Sequence, residues 1–263
     1  MNYRPAFLTE NPDEAPNGLN PQRNFENFFS GGENEVAAQT ARQISRQPGQ
    51  GYNPFLIVGG HGLGKTHLLN ATGQAALALN PALKVRYTTS EGFVRDLIHG
   101  IREQRMESFR DYYRSLDLWL VDDIHFLAGK EQSQEEFLHT FNELVHNGRQ
   151  IVVASRHFPQ ELTNLSESLH SRLVSGVVTR LQAPGMGVRL TFLETRNQVK
   201  PVRLAPEVLT LLAEVVPGNF GELEGALNSL AAYAGNAKTP LTRETAAGLL
   251  EDLKFSAEAP SVI

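Results

Sequence analysis

The chain has no cysteine among its 263 residues. Disulfides, thiolate metal sites and cysteine nucleophiles are thereby excluded, which fits a cytoplasmic protein. Long apolar runs are absent as well. None approaches the roughly 20 residues that cross a bilayer, so no membrane span is expected. Residues 1–20 carry acids and prolines but no apolar core of the kind a secretory signal needs. Nor is there a basic excess. Lys and Arg number 24 against 29 Asp and Glu, a net charge of −5. That balance argues against a self-sufficient reader of duplex DNA, while leaving room for a local nucleic-acid groove. Internal repeats and low-complexity tracts are missing too.

What is present is enough apolar material, 41% of residues, to bury a sizeable core. Residues 1–22 are polar, proline-rich and without periodicity, and are expected to form a flexible leader. A helical pattern starts near Glu33 and stops before Pro48-Gly49. Short apolar runs then alternate with helical stretches: Phe55–Val58, Val85–Thr88, Leu118–Val121, Ile151–Ala154 and Val177–Leu181. They are rich in Val and Ile and lack strict alternation, the mark of buried parallel strands joined by crossover helices. The expectation is a doubly wound α/β domain with a parallel five-stranded sheet over 23–184. After Pro184 the strand signal ends. Pro206–Val215, Asn219–Ala234 and Thr242–Leu253 read as three helices, with Asn219 and Glu222 forming a capping box. They predict a small all-helical lid domain over 185–255, followed by a tail, 256–263.

Gly59-Gly-His-Gly-Leu-Gly-Lys-Thr66 matches the P-loop pattern, with a strand before it and a helix after it. Glycines let backbone N–H groups turn toward phosphates, and the helix N-terminus adds partial positive charge. Lys65 would reach the β- and γ-phosphates and Thr66 would ligate Mg²⁺. The candidate nucleotide-binding residues are Gly59, Gly60, Gly62, Leu63, Gly64, Lys65, Thr66 and His67, for ATP or ADP. The competing reading, a glycine-rich turn from strand to helix, accounts for the glycines but not for Lys65-Thr66.

The run Leu118–Val121 ends in Asp122-Asp123. Mg²⁺ keeps several waters and needs only one or two protein carboxylates. Asp122 at a buried strand end would orient the metal shell, and Asp123 would polarise an attacking water as a general base. Without the P-loop the pair would read as a solvated acidic turn.

Tyr52-Asn-Pro54, Gly59–Leu69, Leu120–Phe137, His139–Asn142 and Glu222–Asn228 together resemble the bacterial DnaA family of AAA+ replication initiators. The resemblance runs from about Phe25 to Leu253, over the AAA+ core and lid. It does not extend to the family's amino-terminal helicase-contact domain or its carboxyl-terminal helix-turn-helix. It implies ATP held between neighbouring subunits of a head-to-tail oligomer, with Arg172 as the arginine finger supplied in trans. It also implies helices inserted near 90–114 that engage single-stranded origin DNA, with Ile98 and Lys130 at strand-contacting positions. Residues 84–114 hold seven Lys/Arg against five Asp/Glu, a locally basic stretch suited to single strands. The same stretch would also serve as a solvated amphipathic helix pair. A replicative helicase or regulators are further implied partners.

Three family positions differ. The acidic residue at the fourth strand's end, sensor 1, is Arg156. The lid arginine before Glu222, sensor 2, is Gly221. The basic residue four before the finger is Ser168. The expected function is therefore a DnaA-type initiator core with nucleotide-dependent self-assembly and slow ATP hydrolysis. The alternatives are a related binding or regulatory protein with little or no ATPase activity, and a helicase-loader type of P-loop protein.

Overall fold

A computed structural model describes residues 17–32, 34–216, 218–237 and 241–252. They fall into two compact units. The first runs through Leu181, and the second starts at Gln182 and includes 29–32 and 61–63.

The first unit is built on five parallel strands: β1 (Phe55–Val58), β2 (Val85–Thr89), β3 (Leu118–Asp122), β4 (Gln150–Ser155) and β5 (Val177–Arg180). Their order is β2-β3-β4-β1-β5. Every residue of β1, β3 and β4 is buried. Strands covered on both faces carry continuous apolar runs instead of alternating ones. Helices α1 (Asn34–Arg46), α2 (Lys65–Leu79), α3 (Ser90–Arg102), α4 (Met106–Arg114), α5 (Glu131–His146) and α6 (Glu167–Val174) surround the sheet. One core face stacks Phe93, Phe109, Tyr113, Trp119 and Phe137, all fully buried. Their ring centroids lie about 5 Å apart in tilted and edge-on pairs, the geometry that aromatic quadrupoles favour.

Residues 17–20, expected to be part of a flexible leader, are instead tied to the first unit. Tyr87 N donates to Asn17 O at 2.8 Å, Asn20 N donates to Asn70 Oδ1 at 2.7 Å, and Leu19 is buried. Residues 1–16 of that leader and the tail 256–263 lie outside the described residues.

The second unit contains α7 (Met186–Gln198), α8 (Pro206–Val215), α9 (Phe220–Asn236) and α10 (Arg243–Asp252). The sequence pattern predicts the last three; α7 is additional. Phe192 of α7 meets Phe29 at 5.2 Å and Phe220 at 5.0 Å between centroids. Leu193, Val208, Leu212, Leu223 and Leu227 complete this core. Asn219 caps α9 by accepting from Glu222 N at 3.0 Å. Its amide donates to Glu222 Oε1 at 2.9 Å, so the expected reciprocal pairing runs between the two side chains.

Candidate nucleotide and metal site

The strand order decides what meets what. Carboxyl ends of parallel strands share one edge of the sheet. Because β4 lies between β1 and β3, the phosphate loop after Val58, the turn after Ser155 and the acidic end of β3 stand in a row. Gly59 N donates to Ser155 O at 3.1 Å, tying the loop to β4.

The loop then turns through two glycines with positive φ, Gly62 at 70° and Gly64 at 97°. Both lie in a region that L side chains enter only at a cost. At Gly64 a Cβ would also sit 3.1 Å from the Phe28 ring. Gly64 is the residue before α2, whose first member is Lys65. The Lys65 ammonium is buried and donates to Gly59 O and Gly60 O, each at 2.6 Å. Burial pulls its pKa below the usual lysine value, opposed by the charges of Asp122 and Asp123. It is a cation held at the loop by two carbonyls, which an incoming phosphate can replace.

Thr66 Oγ1 donates to Asp122 Oδ2 at 2.6 Å. The same oxygen accepts from Tyr87 OH at 3.0 Å, and Asp122 Oδ1 accepts from Asp123 N at 2.9 Å. Burial pushes the Asp122 carboxyl above the usual carboxylate range, while the hydrogen bond from Thr66 pulls it back. Burial and the neighbouring Asp122 push the Tyr87 hydroxyl far above its usual value, so it stays a donor. A hydroxyl and a carboxylate side by side on oxygen chemistry suit Mg²⁺, which takes few protein ligands and keeps its waters. Thr66 and Asp122 are the residues that fit it.

Asp123 has left-handed backbone, φ 53° and ψ 49°. Its carbonyl accepts from Ser90 Oγ at 2.6 Å. Its carboxylate stands 3.6 Å from Arg156 Nε and 3.7 Å from His125 Nδ1. Burial lowers the His125 pKa, against the raising influence of Asp123.

His67, in the first turn of α2, holds Asn24 O with Nε2 at 2.8 Å and meets the Phe28 ring edge-on at 5.4 Å. Thus 24–28 line the start of the P-loop helix. Leu63 is half-buried at the loop crown.

The remaining candidates lie elsewhere. Arg172 is exposed on α6. It borders a shallow depression shared with Leu138, Asn142, Glu167 and Ser171, the last two being neighbours on its own helix. Ser168 lines the same depression. Ile98 is 43% and Ile101 55% exposed on α3, which packs against the 3₁₀ turn Ile124–Leu127. Phe126 of that turn is 39% exposed. Lys130 donates to Phe126 O at 2.7 Å, with its ammonium 5.9 Å from the ring centroid. Gly221 is exposed in the first turn of α9.

Sequence reasoning missed Tyr87, Ser90 and His125. Tyr87 carries a weak signal, a polar ring near the end of a buried strand. The other two become visible only once α3 and the 3₁₀ turn are folded against β3. Arg156 was expected only as a lost acidic sensor, and the structure gives it Asp123 as a partner.

Residues 19–180 match the family model for the bacterial DnaA ATPase domain. The chain is 42% identical over 256 residues to the chromosomal replication initiator protein DnaA of Herpetosiphon aurantiacus, covering 96% of this chain and 54% of that protein. The crystal structure of domain III of the Thermotoga maritima replication initiation protein DnaA superposes with a TM-score of 0.81 at 39% identity, over 89% of this chain and 98% of that one. A structure of replication initiator DnaA bound to AMPPCP and single-stranded DNA superposes with a TM-score of 0.76 at 31% identity, over 89% of this chain and 69% of that one. The chain spans about half the length of the curated relatives it matches.

Proposed function

The chain belongs to the bacterial DnaA ATPase family, and from that membership we propose that it is the nucleotide-controlled core of a chromosomal replication initiator. It binds ATP or ADP with Mg²⁺ and assembles head-to-tail with copies of itself. It engages single-stranded origin DNA in the cytoplasm and hydrolyses ATP slowly. A replicative helicase and regulators are its further partners. Among the described residues no helix is long and apolar enough to cross a membrane.

The observation that carries the reading is the convergence of Lys65, Thr66 and Asp122 at the ends of β1 and β3. In the proposed mechanism Lys65 exchanges two carbonyls for phosphate oxygens. Thr66 and Asp122 would hold Mg²⁺, which would supply neutralisation of phosphate charge when bound. Tyr87 orients Asp122, and Asp123 accepts a proton from water. Arg172 acts across a subunit boundary, consistent with its exposure on α6. For single strands, the supporting features are the exposed Ile98, Ile101 and Phe126 with Lys130 beside them.

Titration calorimetry of Lys65→Ala tests the site. ATP and ADP binding should be lost, and unchanged affinity would sink the assignment. A second reading, a family member that binds nucleotide but hardly turns it over, is favoured by Arg156 beside Asp123. Multiple-turnover ATPase measurements separate the two.

A further inference from the structure

Arg156 leaves the sheet from the strand that separates the phosphate loop from the acidic strand end. Its root is fixed on both sides. Ser155 pairs with Val58 in the β1–β4 register, and Gly59 N holds Ser155 O. The Ser155 hydroxyl donates to His157 O at 2.6 Å and accepts from His157 N at 3.3 Å, closing the turn. From this root the guanidinium Nε reaches to 3.6 Å from Asp123 Oδ1.

Asp123 is fixed as firmly. A left-handed backbone is costly for a residue with a Cβ and persists only where the surroundings impose it. Here they are the Asp122 carboxylate on its N–H and the Ser90 hydroxyl on its carbonyl. The charged and titratable groups that face the Asp123 carboxylate are Arg156, His125 from the 3₁₀ turn, Lys65 from α2 and its neighbour Asp122. One carboxylate oxygen, Oδ1, is shared by Arg156 and His125.

We propose that Arg156 is a positioning residue that restrains hydrolysis by holding the Asp123 carboxylate away from the attacking water. The inference rests on Asp123 being the general base of the proposed ATPase site. In that reaction the water oxygen bonds to the γ-phosphorus and the water proton passes to Asp123. The bond from γ-phosphorus to the bridging oxygen breaks, with its electron pair leaving on ADP. A carboxylate turned to a guanidinium is poorly placed to take that proton. The pair is partly open to solvent, with side chains 41% and 26% exposed, and open pairs are weak. Arg156 therefore slows the step without abolishing it, and it does so without touching nucleotide.

The test compares wild type with Arg156→Lys, Arg156→Gln, Asp123→Asn and the double variant Asp123→Asn with Arg156→Gln. Single-turnover hydrolysis at saturating ATP should rise about two- to fivefold in Arg156→Gln, the effect of one weak ion pair. Arg156→Lys should stay near wild type. ATP and ADP dissociation constants of both Arg156 variants should lie within about twofold of wild type. The double variant should be as slow as Asp123→Asn. In nucleotide-free protein, the Arg156 Nε–H resonance should be protected in wild type and exchange faster in Asp123→Asn. A rate that falls or stays level in Arg156→Gln overturns the proposal, as does a selective loss of ATP affinity, which would make Arg156 a phosphate ligand. If Asp123→Asn hydrolyses at the wild-type rate, the general-base reading fails first, and the unchanged resonance would then decide whether the pair exists at all.

Discussion

Thr66 and Asp122, 56 residues apart, share a 2.6 Å hydrogen bond. The residue after the P-loop lysine and the last residue of β3 are thus placed as neighbours. Nothing in either local sequence dictates the distance. It comes from β1 and β3 both ending at the same sheet edge with β4 between them.

A pH dependence follows from the same carboxylate. Burial holds the Asp122 carboxyl above the usual range. As pH falls through that raised value, a proton would occupy an oxygen that the proposed metal needs. The Mg²⁺-dependent gain in nucleotide affinity should therefore fade on the acid side earlier than an ordinary carboxylate, with its pKa of about 4, would allow. Asp122→Asn should remove the gain at every pH and leave the metal-free affinity. Calorimetry with Mg²⁺ or with chelator checks both, and a gain that survives in Asp122→Asn would refute the metal assignment.

Single-stranded DNA should bind weakly and with strong salt dependence, more tightly than duplex at the same salt. Lys130→Ala is expected to reduce the slope of log affinity against log salt by about 0.7, the loss of one phosphate neutralised on a single strand. Ile98→Ala should weaken binding at unchanged slope, because it removes apolar contact and no charge. Fluorescence anisotropy across a salt series reads both numbers. Tighter duplex binding, or a slope change in Ile98→Ala, would overturn the surface assignment.

The strands and the P-loop were legible because their causes are local. Phe55–Val58 and Leu118–Val121 are apolar throughout and buried throughout. Helix α7 was not, because Phe192, Leu193 and Asn197 are its only buried residues, too short a face to show a period. The anchoring of 17–20 was also hidden. It depends on backbone groups and on Asn70, through Asn17 O and Asn20 N, and such bonds leave no hydrophobic pattern. In the site, Lys65 is picked out by the P-loop pattern and Asp122 by the apolar run that ends in it, and the structure brings Thr66 and Asp122 within hydrogen-bond distance. The contact between Arg156 and Asp123 could not be read in that way, since it needs the strand order as well as the residues.

Gly221 stands where the family resemblance expects a γ-phosphate-sensing arginine. A charge-assisted contact of that kind is worth roughly 1.5–3 kcal/mol, or about 10- to 100-fold in affinity. ATP and ADP dissociation constants of the wild-type chain should therefore lie within a few-fold of each other. Gly221→Arg should shift the ratio toward ATP by at least about tenfold. The new Cβ would meet Asn219 Oδ1 at 3.1 Å, so the cap must give slightly. The gain in helix propensity over glycine, about 0.8 kcal/mol, offsets that. Competition binding on both proteins gives the ratios. A wild-type preference for ATP above tenfold would mean that another group senses the γ-phosphate.

The interposed β4 has a kinetic consequence. The groups proposed to hold nucleotide stand after β1, on α2 and at the end of β3, while the turn after Ser155 ends a different strand. On the proposal made for Arg156, part of the control over how long each ATP survives sits on a strand that carries none of the proposed nucleotide ligands. On that proposal a change at 156 alters the rate of hydrolysis and leaves the binding affinity alone. A population of such subunits would then pass from the ATP form to the ADP form faster or slower, with the same intrinsic affinity for either nucleotide.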